Sequence, residues 1–518
     1  MTNQSQSHKR ALLLSAAASY GAIIVSIVVG LISVPIGLHY FGPVRYGIWL
    51  VIGSILAYLR ISDFGTGLST LTLMAQTSNP AHHRVILRRS ISLLLCISVV
   101  FIITILGASR LFPRWISILG KVPSDLQGEA ATAVLAVSIL VLFQLPTTVF
   151  VSAFSGLQQV YWNRAYGIFS SITALGALVA TISLNGSLVT LAIFTGFGGL
   201  FVGIVSGIHL FLVHPNVRPR ITEKVAGAPS TRLLLGSGIR FLALQIAVLI
   251  IWNTDNVVIT HYMGPEMVTP YAITFRLFQM GLMIVTSSII ALWPMYGQTS
   301  GQNDWEWIQR TLNRSIFSQI IPGGLIWIGG IIFSQVIINL WAGPAAYGGL
   351  VVAFTLGGYV YVSSFGGSNY SLINGLNPTN IIVVFGVIEA VLNLGISLTL
   401  VGPLGIGGVA FGTFVASLVV NTWFPPLYIR HRTRKRVNLE LRPIVTHTFI
   451  VLLCVVFALL AVIYSPNGLF RFVGGIFIIV VYLILSWHVI PHSIQDLIKK
   501  SVFGFRLVRA FFPIKERM

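Results

Sequence analysis

Charged side chains are scarce in this chain: Asp, Glu, Lys and Arg make up 8% of its 518 residues, against about 25% in an ordinary soluble domain. So few charges cannot keep a folded surface hydrated, which excludes a water-exposed globule. Carboxylates are scarcer still, with 12 Asp and Glu against 32 Lys and Arg. Cysteine is nearly absent. Cys96 and Cys454 both fall inside apolar runs, so neither a disulfide framework nor a zinc site is expected. The chain also lacks a GxxxxGK(S/T) phosphate loop, which excludes an ATP-driven pump built from this chain alone.

What the chain has is apolar length. A membrane-crossing helix needs about 20 apolar residues. Runs of that size recur at roughly 11–38, 47–75, 86–109, 130–154, 162–184, 187–213, 233–261, 268–297, 315–340, 346–373, 379–401, 404–428, 443–465 and 468–490. The opening run is far longer than a signal-peptide core and reads as an uncleaved first span. Lys and Arg gather in alternate loops. With the N-terminus inside, 24 fall in inner segments and 5 in outer ones, so both termini are expected in the cytoplasm. The net charge of +20 is thereby a topology signal, and no nucleic-acid partner is expected. The basic string RHRTRKR at 430–436 reads as an anchor on anionic membrane lipids, and the tail 491–518 as an amphipathic helix at the inner interface.

HYFGP at 39–43 returns as HYMGP at 261–265, 222 positions on. RALLLS at Arg10 is answered by RLLLGS at Arg232 with the same offset, and SGLQ at 155–158 by NGLN at 374–377. The chain is therefore expected to be all-α and polytopic, with 14 transmembrane helices. Two parallel six-helix repeats, an N-lobe 1–213 and a C-lobe 233–429, are joined by a linker 214–232. A basic loop 430–442, two extra C-terminal helices within 443–490 and the tail follow. Parallel repeats are typical of transporters that hold substrate at the repeat interface. HY-x-GP marks the outer turn of each half, where glycine and proline are turn chemistry. In the outer loop 110–129, Ser124 and Gln127 spell a helix capping box. Gly203 and Gly207 form a GxxxG that lets helices approach closely.

The stretch LHYFGPVRYGIWLVIGSILAYLRISDFGTGLS, together with NTDNVVITHYMGP and YAITFRL in the second half, resembles the polysaccharide-exporting flippases of the multidrug/oligosaccharidyl-lipid/polysaccharide superfamily. The resemblance covers the first twelve spans. It implies two helical lobes around a central cavity that opens alternately to either side. It also implies a substrate of undecaprenyl-pyrophosphate-linked oligosaccharide, moved across a bacterial inner membrane, with polysaccharide polymerase and chain-length proteins as partners and no cofactor. Coupling to a proton or sodium gradient is left open.

Charges inside spans are costly and mark function by default. Six occur: Arg60, Asp63, Arg240, Asp255, Arg276 and Glu389. None has a charged counterpart in the other half, where Arg60 is matched by Leu282 and Arg276 by Ser54. A guanidinium offers forked donors that fit a pyrophosphate, so Arg60, Arg276 and Arg240 are the candidate anion path. Arg60 and Asp63, three apart, can also neutralise each other. The resemblance places an acid at Asp63 and at Asp255, where it either couples to ions or braces the bundle. Asn253 and Asn256 are candidates for sugar hydroxyls, with Gln245, Tyr20 and Trp252 beside them. Glu389, with Asp255, is the candidate for ion or proton coupling. Two rivals stand: a drug or cation antiporter of the same superfamily, and a membrane-embedded glycosyltransferase or polymerase. For the latter the loop 110–129 supplies only Asp125 and Glu129 as acids.

Overall fold

The computed structural model describes residues 3–111, 121–220, 223, 225–227, 229–287, 289, 292–376, 379–465, 468–490 and 495. Side chains are described from residue 18, with gaps between 235 and 248 and at 379–380. Among the described residues there is no strand. The helices are α1 (Asn3–Arg60), α2 (Thr66–Ala75), α3 (Pro80–Leu111), α4 (Gln127–Gln144), α5 (Thr148–Gly156), α6 (Val160–Ser183), α7 (Leu188–Val213), α8 (Thr231–Met263), α9 (Val268–Ser287), α10 (Leu292–Gly301), α11 (Trp305–Ala342), α12 (Leu350–Gly375), α13 (Thr379–Leu404), α14 (Ile406–Arg432), α15 (Leu441–Tyr464) and α16 (Gly468–Val489).

Twelve helical runs among the described residues are long and apolar enough to cross a membrane. One of them, Ala18–Asp63, is two crossings. Gly42 breaks α1 with φ 71° and ψ 170°, and Gly37 lies against the Tyr46 ring. Nine residues of straight helix would hold those positions about 13 Å apart. With α8, 33 residues long, the count is fourteen, and the chain is an all-α, multi-pass membrane protein.

HY-x-GP owes its glycine to this geometry. Gly264, in the second copy, has φ 101° and ψ 162°, the same near-exclusive glycine region as Gly42. Proline follows in both, with its fixed φ and no amide to satisfy.

Several spans are not continuous. After α1 comes a 3-10 turn, Ile61–Asp63, and then two left-handed residues, Phe64 (φ 47°) and Gly65 (φ 71°). Pro146 sits in the 3-10 turn Leu145–Thr147 that separates α4 from α5. The capping box expected at Ser124 is not formed. Leu126 is the N-cap of α4, and the Gln127 amide donates instead to the Val122 carbonyl at 3.1 Å. Glu129 is occupied structurally, accepting from Arg45 Nε at 3.2 Å and from the Leu188 amide at 2.8 Å.

Contacts group the chain into two compact units. The first holds 1–273, 338–347 and 383–412; the second holds 274–337, 348–382 and 413–518. In the first unit, a glycine face of α7 lies on α4 and α5. A Cβ at Gly203 would overlap the Thr147 side chain, and one at Gly207 would stand 2.6 Å from the Phe150 ring, as the GxxxG spacing predicts. At the two HY-x-GP turns each pentapeptide meets the residues that follow the other. Thr269 Oγ1 donates to the Pro43 carbonyl at 2.7 Å, and Gly47 lies so close to the Pro265 carbonyl that a Cβ would overlap it.

In the second unit Trp327, Phe354 and Phe414 form an aromatic core among α11, α12 and α14. The added pair α15 and α16 joins it through buried polar groups. Tyr482 donates to the Ile321 carbonyl at 2.7 Å, and His447 stands between the hydroxyls of Tyr361 (3.3 Å) and Tyr482 (3.2 Å).

Candidate functional site

The second crossing of α1 and the facing helix α8 are mostly apolar, and several of their polar side chains meet. Asn256 Nδ2 donates to Ser54 Oγ at 3.0 Å, and Tyr58 shares a hydrogen bond with Thr254 Oγ1. The rungs rise through one helix as they fall through the other, so the helices are antiparallel. Beside them Asp255, 4% exposed, accepts a hydrogen bond from the Tyr271 hydroxyl. A carboxylate this deep in an apolar span is costly unless it is hydrogen-bonded.

The structure thus brings Asp255 and Asn256 together with Ser54, Tyr58, Thr254 and Tyr271, four residues that charge-based reading passes over. Their signal was weak. Ser54 and Tyr58 are four apart, hence on one face of an otherwise apolar helix, and Thr254 adjoins Asp255. Asn253 is half-buried, and Tyr20 and Trp252 are exposed. Gln245 Oε1 is buried and has no hydrogen-bond donor among the described residues.

Arg60 ends α1 with an exposed side chain. Asp63 does not pair with it. Its carboxylate accepts the amides of Gly65 at 2.8 Å and Gly67 at 3.4 Å, supplying partners for the first turn of α2. No carboxylate is in salt-bridge contact with Arg60 among the described residues. Glu389 is buried on α13 beside Ala390, which packs with Ala247 and Ile251 of α8. Arg276, on α9 in the second unit, is half-buried. The side chain of Arg240 lies outside the described residues, as does the tail 491–518 apart from residue 495.

In the first unit, basic side chains near the start of α3 have local partners. Arg84 forks onto Glu223 and also donates to the Asn216 carbonyl at 3.0 Å. Arg88 donates to the Arg220 carbonyl at 2.9 Å. Arg84 holds the Glu223 carboxyl below its usual range, chiefly through that hydrogen bond. Among the described residues, no three His, Cys, Asp or Glu side chains are grouped to hold a metal ion.

As an assembly, hydroxyl and amide rungs offer neutral hydrogen bonds suited to sugar hydroxyls, Arg60 offers an open cation, and Asp255 and Glu389 are buried acids. The family model described as Polysaccharide biosynthesis protein matches residues 13–300, and the MatE model matches residues 242–399. A Salmonella typhi protein named "Putative O-antigen transporter" is 21% identical over 437 residues, 82% of this chain and 97% of its own. A Salmonella typhimurium protein of the same name is 23% identical over 192 residues, 36% of this chain and 44% of its own. Among solved structures, the lipid II flippase MurJ in an inward closed conformation matches with a TM-score of 0.65 and 16% identity, over 96% of this chain and all of that one. An inward-facing multidrug resistance MATE family transporter matches at 0.67 with 16% identity, over 81% of this chain and 99% of that one. At such identities the two structures speak for the fold.

Proposed function

Because this chain belongs to the polysaccharide biosynthesis protein family, we propose that it carries undecaprenyl-pyrophosphate-linked oligosaccharide, such as an O-antigen, capsule or exopolysaccharide repeat unit, from the cytoplasmic to the periplasmic leaflet of a bacterial inner membrane. It is a transporter-type protein rather than an enzyme, in line with its relatives. Two lobes open in turn to either side of a central cavity. Both termini lie in the cytoplasm, and polysaccharide polymerase and chain-length proteins take the product onward. Asp255 and Glu389 are the groups through which a proton or sodium gradient would couple.

Arg60 is the observation that carries the reading. It closes a membrane-crossing run, is exposed, and has no salt-bridged carboxylate among the described residues. An intramembrane cation without a counter-ion is expensive, and a pyrophosphate head group is the anion that would complete it. One such pair at 4 Å is worth about 4 kcal/mol at an effective dielectric of 20, enough to hold a head group yet weak enough to release it. Arg276 and Arg240 are the further candidates for holding the anion, while Asn253 and Asn256 offer hydrogen bonds to sugar.

The test uses a strain that accumulates one lipid-linked oligosaccharide on the inner leaflet. The native chain should deliver sugar to the periplasm, and Arg60→Ala and Arg276→Ala, at matched membrane levels, should deliver at least about tenfold less, the loss of one charge-assisted contact. Normal transport by both variants would remove the cationic path. The MatE match over 242–399 favours the antiporter as the second reading, and efflux of cationic drugs without sugar transport would establish it.

A further inference from the structure

The loop after α14 is strongly basic, and its backbone is folded into a site. Arg432, Thr433, Arg434 and Arg436 line one side of a pocket of about 340 Å³, and Ser300 and Trp305 line the other. That volume lies within the range of about 300–1,000 Å³ of small-molecule sites. Arg434 (φ 52°) and Lys435 (φ 63°) are both left-handed, a region that non-glycine residues occupy sparingly. The Lys435 amide donates to the Arg430 carbonyl at 2.8 Å and the Arg436 amide to the Thr433 carbonyl at 3.0 Å, which holds the loop in that shape.

Donors dominate the pocket, although Ser300 and Thr433 donate to the Gly297 and Ile429 carbonyls of α10 and α14. No carboxylate is in salt-bridge contact with Arg432, Arg434 or Arg436 among the described residues. The guanidinium of Arg436 stands 5.7 Å over the Trp305 ring, and the indole N–H of Trp305 is buried with no acceptor among the described residues. Nearby acids are engaged elsewhere. Asp304 Oδ1 accepts the Trp307 amide at 3.0 Å, Glu306 pairs with Arg310 at 3.5 Å, and Glu440 accepts from Asn313 at 3.3 Å. Arg84 and Arg88 of the first unit, by contrast, are spent on Glu223 and on backbone carbonyls.

We infer that this pocket binds one phosphate-bearing anion at the inner membrane surface. Three forked cations and a buried N–H match tetrahedral oxygens better than a single carboxylate, and the site adjoins the last turn of α14, a helix long and apolar enough to cross a membrane. The inference rests on the proposed inward orientation of this face but not on transport. The shared chemistry admits two sources, a phospholipid head group or soluble phosphate.

The test takes the purified full chain in detergent. Native mass spectrometry counts bound phosphatidylglycerol, and equilibrium dialysis follows radiolabelled orthophosphate. One of the two probes should saturate at one per chain. The triple variant Arg432→Gln, Arg434→Gln, Arg436→Gln should weaken it at least about tenfold. Trp305→Phe keeps a ring beneath Arg436 and removes the N–H, so it should weaken binding severalfold without a change of charge. A charge-matched control, Arg164→Gln, Arg220→Gln, Arg232→Gln, should bind as the native chain does. Saturation by phosphatidylglycerol alone assigns a lipid head group; saturation by orthophosphate assigns a soluble anion. Equal weakening in the control triple, or saturation by neither probe, overturns the site. Binding is read without transport, so failure of the Arg60 prediction leaves this result intact, and the reverse holds too.

Discussion

At the scale of single residues, burial cost decides what could be read. Arg60, Asp63, Asp255 and Glu389 stand out in the sequence because a charge inside an apolar run is expensive. Ser54 and Thr254 do not, since a Ser or Thr hydroxyl can satisfy itself against its own helix, as Ser54 also does on the Leu50 carbonyl at 3.3 Å, and Tyr58 does not, since its ring is at home in an apolar run. Only the approach of α8 shows that these groups form rungs. Gly47 is a second case. Nothing in VRYGIW marks it, yet a Cβ there would meet the Pro265 carbonyl, and a backbone oxygen cannot swing aside. Gly47→Ala should therefore cost about 1–3 kcal/mol as an overpacking change, seen as a lower thermal midpoint of the solubilised chain. Thr269→Val, which removes the hydrogen bond to Pro43, should cost about 0.5–1.5 kcal/mol. A Gly47→Ala chain that melts with the native one would contradict the close approach.

At the scale of elements, hydrophobic length located the crossings, and Gly42-Pro43 and Gly264-Pro265 located two matching turns between them. The internal breaks were visible only as polar interruptions. The break at Ile61–Asp63 depends on Asp63 turning its carboxylate to the amides of Gly65 and Gly67, a local competition that periodicity does not encode. Helix contacts inside a membrane rest on close packing and hydrogen bonds more than on apolar burial. The join of α15 and α16 to their unit illustrates this, with the Tyr482 hydroxyl shared between the Ile321 carbonyl and His447. Tyr482→Phe removes that shared donor and keeps the ring. It should cost about 0.6–1.7 kcal/mol and speed protease cleavage within α15 and α16. Unchanged protease resistance and midpoint would show that ring packing alone holds the pair.

At the scale of the whole molecule, the distribution of Lys and Arg makes the orientation testable. With Cys96 and Cys454 replaced by alanine, Asn438→Cys should react with an impermeant maleimide only after the cytoplasmic face is opened. Ala345→Cys, exposed between α11 and α12, should react in intact spheroplasts. The opposite pattern would invert the topology and remove the inner-leaflet starting point of the proposed transport. The repeat itself was legible at this scale, because glycine and proline at matching positions survive where side chains have changed. What its two copies do to one another was not. Position 43 touches position 269, and position 265 touches position 47; counted within a half, the same two places meet in both directions. Reciprocal contact of this kind belongs to two copies of one chain joined about a two-fold axis. The turn thus joins the two halves as the protomers of a two-fold homodimer are joined, with glycine at one of the two matching contacts and a hydroxyl at the other.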